Sequence, residues 1–226
     1  MTSLVDDLAG RLVVSCQAYP GEPMRDPRTM SQMAQACVTG GAAAIRVQGL
    51  EDIRATAAAI DVPVIGLVKE GEQGVYITPT LELAIACANA GARIVAIDGT
   101  SRPRPDGLTF AEVVTGLKDK HPDVLVMADC GSVQDCVRSE ADGADIIGTT
   151  LGGYTGDRVK TVGPDFDFAE QAIKACSKPV VVEGRVHTLE HAAAVMRLGA
   201  HAVCVGTAIT HPSTITGWFA AAVKGA

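Results

Sequence analysis

Short apolar runs alternate with stretches of helical spacing along the chain. Leu12–Cys16, Ala43–Val47, Val62–Val68, Arg93–Ile97, Val124–Ala128, Asp145–Ile147, Pro179–Val182 and Ala202–Val205 are each too short for a stable helix. They are mostly apolar and rich in branched side chains, so they predict eight strands buried on both faces. Between them apolar residues recur three and four positions apart: Met30, Met33, Ala34 and Cys37; Leu50, Ile53, Ala57 and Ile60; Phe110, Val113, Val114 and Leu117; Phe168, Ala172, Ile173 and Cys176. That spacing lays one apolar stripe along each predicted helix. Thr109-Phe110-Ala111-Glu112 has the form of a capping box, which sharpens one helix start.

A second pattern orders these elements. Gly41-Ala42, Gly91-Ala92, Gly143-Ala144 and Gly199-Ala200 each stand before an apolar run, at strands two, four, six and eight. The glycine suits a left-handed helix cap, and the alanine lets the helix end pack tightly on the sheet. Four βαβα quarters favour a closed (β/α)₈ TIM barrel over an open doubly wound sheet. No linker or low-complexity segment divides the sequence, so residues 1–226 read as one domain. Ser3 to Leu8 predicts a short helix covering the barrel bottom. Ser213 to Val223 predicts a last helix that turns Ile215, Phe219 and Ala222 to the barrel, with Trp218 at the stripe's border.

Composition narrows the function classes. Apolar residues make up 47% of the 226 and aromatics only 4%, so the core must be aliphatic. The net charge of −7, without a basic stripe, argues against nucleic acid. The first residues lack the basic and apolar regions of a signal peptide, and no apolar run has membrane-spanning length. Seven scattered cysteines without a C-x-x-C pair read as free thiols in a reducing cytoplasm. The five histidines lack ligand spacing, so no metal is expected.

Chemistry collects at the carboxyl ends of the predicted strands. Gln17, Arg46, Lys69, Asp98 and Asp129 follow strands one to five; Thr149 and Thr150 follow strand six, Glu183 and Arg185 strand seven, Gly206 and Thr207 strand eight. Each has a plain alternative: Lys69 could snorkel to water, Arg46 and Asp129 could form a structural ion pair, and Thr149 could cap a helix. An amine, carboxylates and guanidiniums converging on one mouth are harder to explain as packing. Gly184 and Arg185, with Gly206 and Thr207, form two turns whose amides could approach a phosphate. Strands three and seven lie opposite each other, so Lys69 and Glu183 would face one another across a substrate. That arrangement suits moving a proton at a carbon beside a carbonyl. A lysine serves as base only when neutral, a form that burial and a neighbouring cation favour.

These residues, together with Val14-Ser15-Cys16-Gln17, Ala44-Ile45-Arg46, Pro63-Val64-Ile65-Gly66, Tyr76-Ile77-Thr78-Pro79-Thr80 and Arg102-Pro103-Arg104-Pro105-Asp106-Gly107, carry a resemblance. With Ala128-Asp129-Cys130, Gly148-Thr149-Thr150-Leu151, Glu183-Gly184-Arg185 and Val205-Gly206-Thr207-Ala208-Ile209-Thr210 it spans nearly the whole chain. The sequence resembles the N-acylmannosamine-6-phosphate 2-epimerases of bacterial sialic acid catabolism. The resemblance implies a metal- and cofactor-free homodimer that interconverts N-acetylmannosamine 6-phosphate and N-acetylglucosamine 6-phosphate. It implies that Lys69 is the acid/base at C2 and Glu183 its carboxylate partner. Gln17, Arg46 and Asp129, with Thr150 beside them, would orient the open-chain sugar.

Two departures mark this chain. His211 stands where the family usually has arginine after Ala-Ile-Thr, and Glu70-Gly71 replaces the common Arg-Asp. His211 is expected to approach the phosphate with one directed hydrogen bond where arginine would offer a fork. Two other functions fit the barrel: a Schiff-base lyase using Lys69, and a sugar-phosphate sensor that needs neither Lys69 nor Glu183.

Overall fold

The computed structural model describes residues 3–71 and 74–225. Eight parallel strands close into a barrel in sequence order: β1 (Arg11–Cys16), β2 (Ala44–Gln48), β3 (Val64–Leu67), β4 (Ile94–Asp98), β5 (Leu125–Asp129), β6 (Ile146–Gly148), β7 (Val180–Glu183) and β8 (Ala202–Val205), with β1 pairing β8. The helices are α1 (Pro27–Thr39), α2 (Leu50–Ala57), α3 (Leu81–Asn89), α4 (Phe110–Lys120), α5 (Val133–Ala141), α6 (Phe166–Ala175), α7 (Leu189–Arg197), a single turn α8 (Thr207–Thr210) and α9 (Pro212–Lys224). The (β/α)₈ TIM barrel expected from the alternation is the fold observed.

Two apolar layers follow from the two-residue period of the strands. Val13, Ala44, Ile65, Ile94, Met127, Val181 and Ala202 fill the barrel, while Val14, Ile45, Val95, Val126, Val182 and Val203 pack outward against the helices. The same period turns Arg46 and Glu183 inward at the upper end of β2 and β7. Gly41, Gly91, Gly143 and Gly199 all have φ between 96° and 109°, the left-handed caps anticipated. The alanine after each is buried. Gly66 serves another purpose: a Cβ there would lie 2.7 Å from the Ala92 Cβ and 2.8 Å from Ile53 Cδ1, so glycine is what lets α2 approach β3. At the bottom, a 3₁₀ turn (Asp6–Leu8) inserts the fully buried Leu8 into the inner layer. The capping box of Thr109 and Glu112 is formed at α4.

Two features differ from expectation. Strand β3 stops at Leu67, so Lys69 lies two residues beyond it, in an antiparallel bridge to Ile77. The last helix is the larger departure. None of its residues is buried, and Phe219, expected against the barrel, is 70% exposed beside Trp218 at 39%.

Candidate active site

The floor of the upper mouth is a buried charge cluster. Arg46, 1% exposed, forks onto Asp129 through Nη1–Oδ1 at 3.2 Å and Nη2–Oδ2 at 2.6 Å. Thr150 donates its hydroxyl to Asp129 Oδ1 at 2.6 Å. Burial opposes the Arg46 charge, but Asp129 and Glu183 outweigh it and hold the guanidinium's pKa above the usual range. Arg46 Nε lies 3.5 Å from Glu183 Oε2, and neither atom makes a hydrogen bond among the described residues. Burial pushes the Glu183 carboxyl up, against the pull of Arg46.

Above this floor opens a cavity of about 360 Å³ lined by Gln17, Arg46, Lys69, Thr150 and Glu183, among others. Lys69, half-buried, donates from Nζ to Gln17 Oε1 at 2.9 Å and to Tyr19 Oη at 3.3 Å. The Gln17 amide is oriented by its own donation from Nε2 to Ser15 Oγ at 2.8 Å, which leaves the oxygen for the lysine. Asp129 does not line the cavity. It sits beneath Arg46 and Thr150 and holds both, so the ion-pair alternative raised for Arg46 and Asp129 describes its contacts. Asp98 is likewise withdrawn, gripped by Thr100 and Arg102.

Gly184, Arg185, Gly206, Thr207 and His211 line the same cavity. Gly184 and Arg185 are both left-handed, at φ 108° and 57°, so the turn after β7 is tight. The Arg185 side chain is committed elsewhere: Nε reaches Thr161 Oγ1 and the Gly163 carbonyl, and Nη1 the Gly152 carbonyl at 3.0 Å. It ties down the loop between β6 and α6. The ring nitrogens of His211 also meet protein groups. Nε2 lies 3.0 Å from the Gln17 carbonyl and Nδ1 3.5 Å from Glu22 Oε1. Among the described residues, these are the polar contacts of the ring expected to approach the phosphate.

Three residues here escaped sequence reasoning. Tyr19 is in a loop with no periodicity. Tyr76 lines the cavity as well, and burial with nearby Asp98 pushes its phenol to about 12. Cys204 pairs in register with Glu183 across β7 and β8, so both point inward. Burial and that carboxylate push its thiol well above the ordinary range, which makes it a neutral neighbour. The inward alternation of β8 was a usable signal for Cys204, and Tyr76 stands in one of the segments that carry the resemblance; Tyr19 had no signal.

A family model described as "Putative N-acetylmannosamine-6-phosphate epimerase" matches residues 30–225. A protein of Cutibacterium acnes described as "Putative N-acetylmannosamine-6-phosphate 2-epimerase" is 56% identical over 223 residues, covering 98% of this chain and 97% of that protein. One of the same description from Corynebacterium glutamicum is 48% identical over 223 residues, covering 97% and 95%. The solved N-acetylmannosamine-6-phosphate 2-epimerase from Clostridium perfringens superposes with a TM-score of 0.93 at 35% identity, over 97% of this chain and 96% of that one. Thiamine phosphate pyrophosphorylase from Pyrococcus furiosus, at 17% identity and a TM-score of 0.63, shares the fold alone.

Proposed function

The chain belongs to the N-acetylmannosamine-6-phosphate 2-epimerase family, and from that premise we propose that Lys69 moves the C2 proton of the open-chain sugar phosphate. The reaction interconverts N-acetylmannosamine 6-phosphate and N-acetylglucosamine 6-phosphate. Removing the C2 proton beside the C1 aldehyde sends the C–H electron pair into a C1–C2 double bond and the carbonyl pair onto oxygen. Once the planar enolate has turned its other face to the Lys69 ammonium, return of the proton there restores the carbonyl and inverts the centre. Arg46, fixed by Asp129, supplies positive charge beside the developing oxyanion. Glu183 acts on or through a sugar hydroxyl, and Gln17 and Thr150 orient the chain. The turns of Gly184–Arg185 and Gly206–Thr207 offer backbone to the 6-phosphate.

The observation that carries this reading is the environment of Lys69. Two acceptors, Gln17 Oε1 and Tyr19 Oη, take two hydrogens of the amine. In the neutral form the remaining tetrahedral position is the lone pair, and Lys69 shares its cavity with Glu183 and Arg46. The test is proton NMR of either sugar phosphate with enzyme in D₂O. Epimer should appear as the C2 proton signal is lost; a stable C2 signal with carbon–carbon cleavage would contradict the scheme.

Glu183 gives a pH prediction. Its carboxyl is held above the 4.5 of an ordinary glutamate, chiefly by burial. The working form is ionised, so kcat/KM should fall as pH drops through that raised value, with its acidic limb above 4.5. A limb at or below an ordinary glutamate's value would remove Glu183 from this role.

We assign the enzyme to the cytoplasm, where its free cysteines would stay reduced. We further propose a homodimer, supported by α9: Trp218, Phe219 and Val223 leave an apolar helix face open on one chain. Light scattering at micromolar concentration should give twice the chain mass. A monomer mass there would refute the assembly.

A further inference from the structure

His211 holds the end of β1, and its contacts lead to the proposed base. Its Nε2 lies 3.0 Å from the Gln17 carbonyl. A carbonyl can only accept, so Nε2 carries the hydrogen. The preceding residue does the same one step earlier: Thr210 Oγ1 donates to the Ser15 carbonyl at 2.6 Å. Two successive residues after β8 thus clamp alternate carbonyls of the segment leaving β1.

The other side of the imidazole faces the Tyr19 loop. Nδ1 faces Glu22 Oε1 at 3.5 Å, while Glu22 Oε2 accepts the Tyr19 amide at 2.6 Å. The Tyr19 and His211 rings meet with centroids 5.7 Å apart, tilted by 54°. His211 therefore fixes Gln17 through its carbonyl and Tyr19 through ring contact. These are the two residues whose oxygens receive Lys69 Nζ.

We infer that His211 is a positioning residue for Lys69, acting through Gln17 and Tyr19, and is not a ligand of the 6-phosphate. The inference rests on the role proposed for Lys69. Its geometric content is separate: losing the imidazole frees the loop that aims the amine, while the phosphate turns after β7 and β8 keep their backbone.

The test compares His211→Ala with His211→Gln, whose side-chain amide can offer a donor where Nε2 stands. Epimerisation kinetics are measured together with inhibition by inorganic phosphate. In His211→Ala, kcat should fall by about tenfold to a hundredfold, the scale expected when a reacting group is displaced by about an ångström. The inhibition constant of phosphate should stay unchanged, and His211→Gln should recover most of kcat. A weakened phosphate affinity, or a kcat unaltered in His211→Ala, overturns the inference.

A readout without turnover separates this from failure of the epimerase reading. Reductive methylation of Lys69 by formaldehyde and borohydride, followed by mass spectrometry of the intact folded chain's digest, should be faster in His211→Ala than in wild type or His211→Gln. Equal rates in all three overturn the clamp, whatever the enzyme's activity. A wild type that exchanges no C2 proton while its Lys69 responds as described would instead count against the catalytic assignment alone.

Discussion

Lys69→Ala should lower the rate of C2 proton exchange by about 10²–10⁴-fold, the usual cost of losing a positioned general base. Alanine should fold in its place, because Lys69 lies half-buried beyond β3 and its side-chain hydrogen bonds go to two rim groups, Gln17 and Tyr19. Lys69→Arg should be as inactive as alanine, since a guanidinium keeps its proton and cannot serve as base. A folded Lys69→Ala variant with near-normal exchange would move the chemistry to another group. An arginine variant that retained activity would reduce Lys69 to a fixed charge.

The second large effect concerns stability. Arg46→Met leaves Asp129, fully buried, and Glu183, 14% exposed, without their guanidinium. Removing one partner from a buried ion pair costs about 3–5 kcal/mol, because the charge left behind is uncompensated. The denaturant midpoint should fall accordingly, with the slope unchanged. Combining Arg46→Met with Asp129→Leu should recover part of that loss, since an apolar replacement removes the more deeply buried of the two stranded carboxylates. Catalysis should stay lost in the double variant. A single variant as stable as wild type would mean that the cluster is hydrated and the floor less dry than its burial indicates.

Much of this was legible in the sequence, for identifiable reasons. Strand period and the Gly-Ala caps are local signals, so the barrel could be read residue by residue. The convergence of Gln17, Arg46, Lys69, Thr150 and Glu183 followed from the barrel, because a closed parallel sheet brings all strand ends to one rim. What lay beyond reach depended on side-chain direction past the strands. Arg185 and His211 stand at rim positions that suggest phosphate, yet Arg185 bonds Thr161 and the Gly152 and Gly163 carbonyls, and His211 the Gln17 carbonyl. The exposed stripe of α9 escaped for another reason. Periodicity shows that a helix has an apolar face, but not whether its own barrel covers it.

The grip of Gln17 and Tyr19 on the lysine has an isotopic consequence. With Lys69 as the proposed base, hydrogen collected from C2 would occupy the one position those two acceptors leave open. Turning the ammonium to present a different hydrogen requires breaking both bonds. Label abstracted from the substrate can thus come back to it before the group rotates or exchanges with water, and the fraction retained in a single turnover becomes a clock for that rotation. Loosening either acceptor would erase this memory even where the overall rate hardly changed.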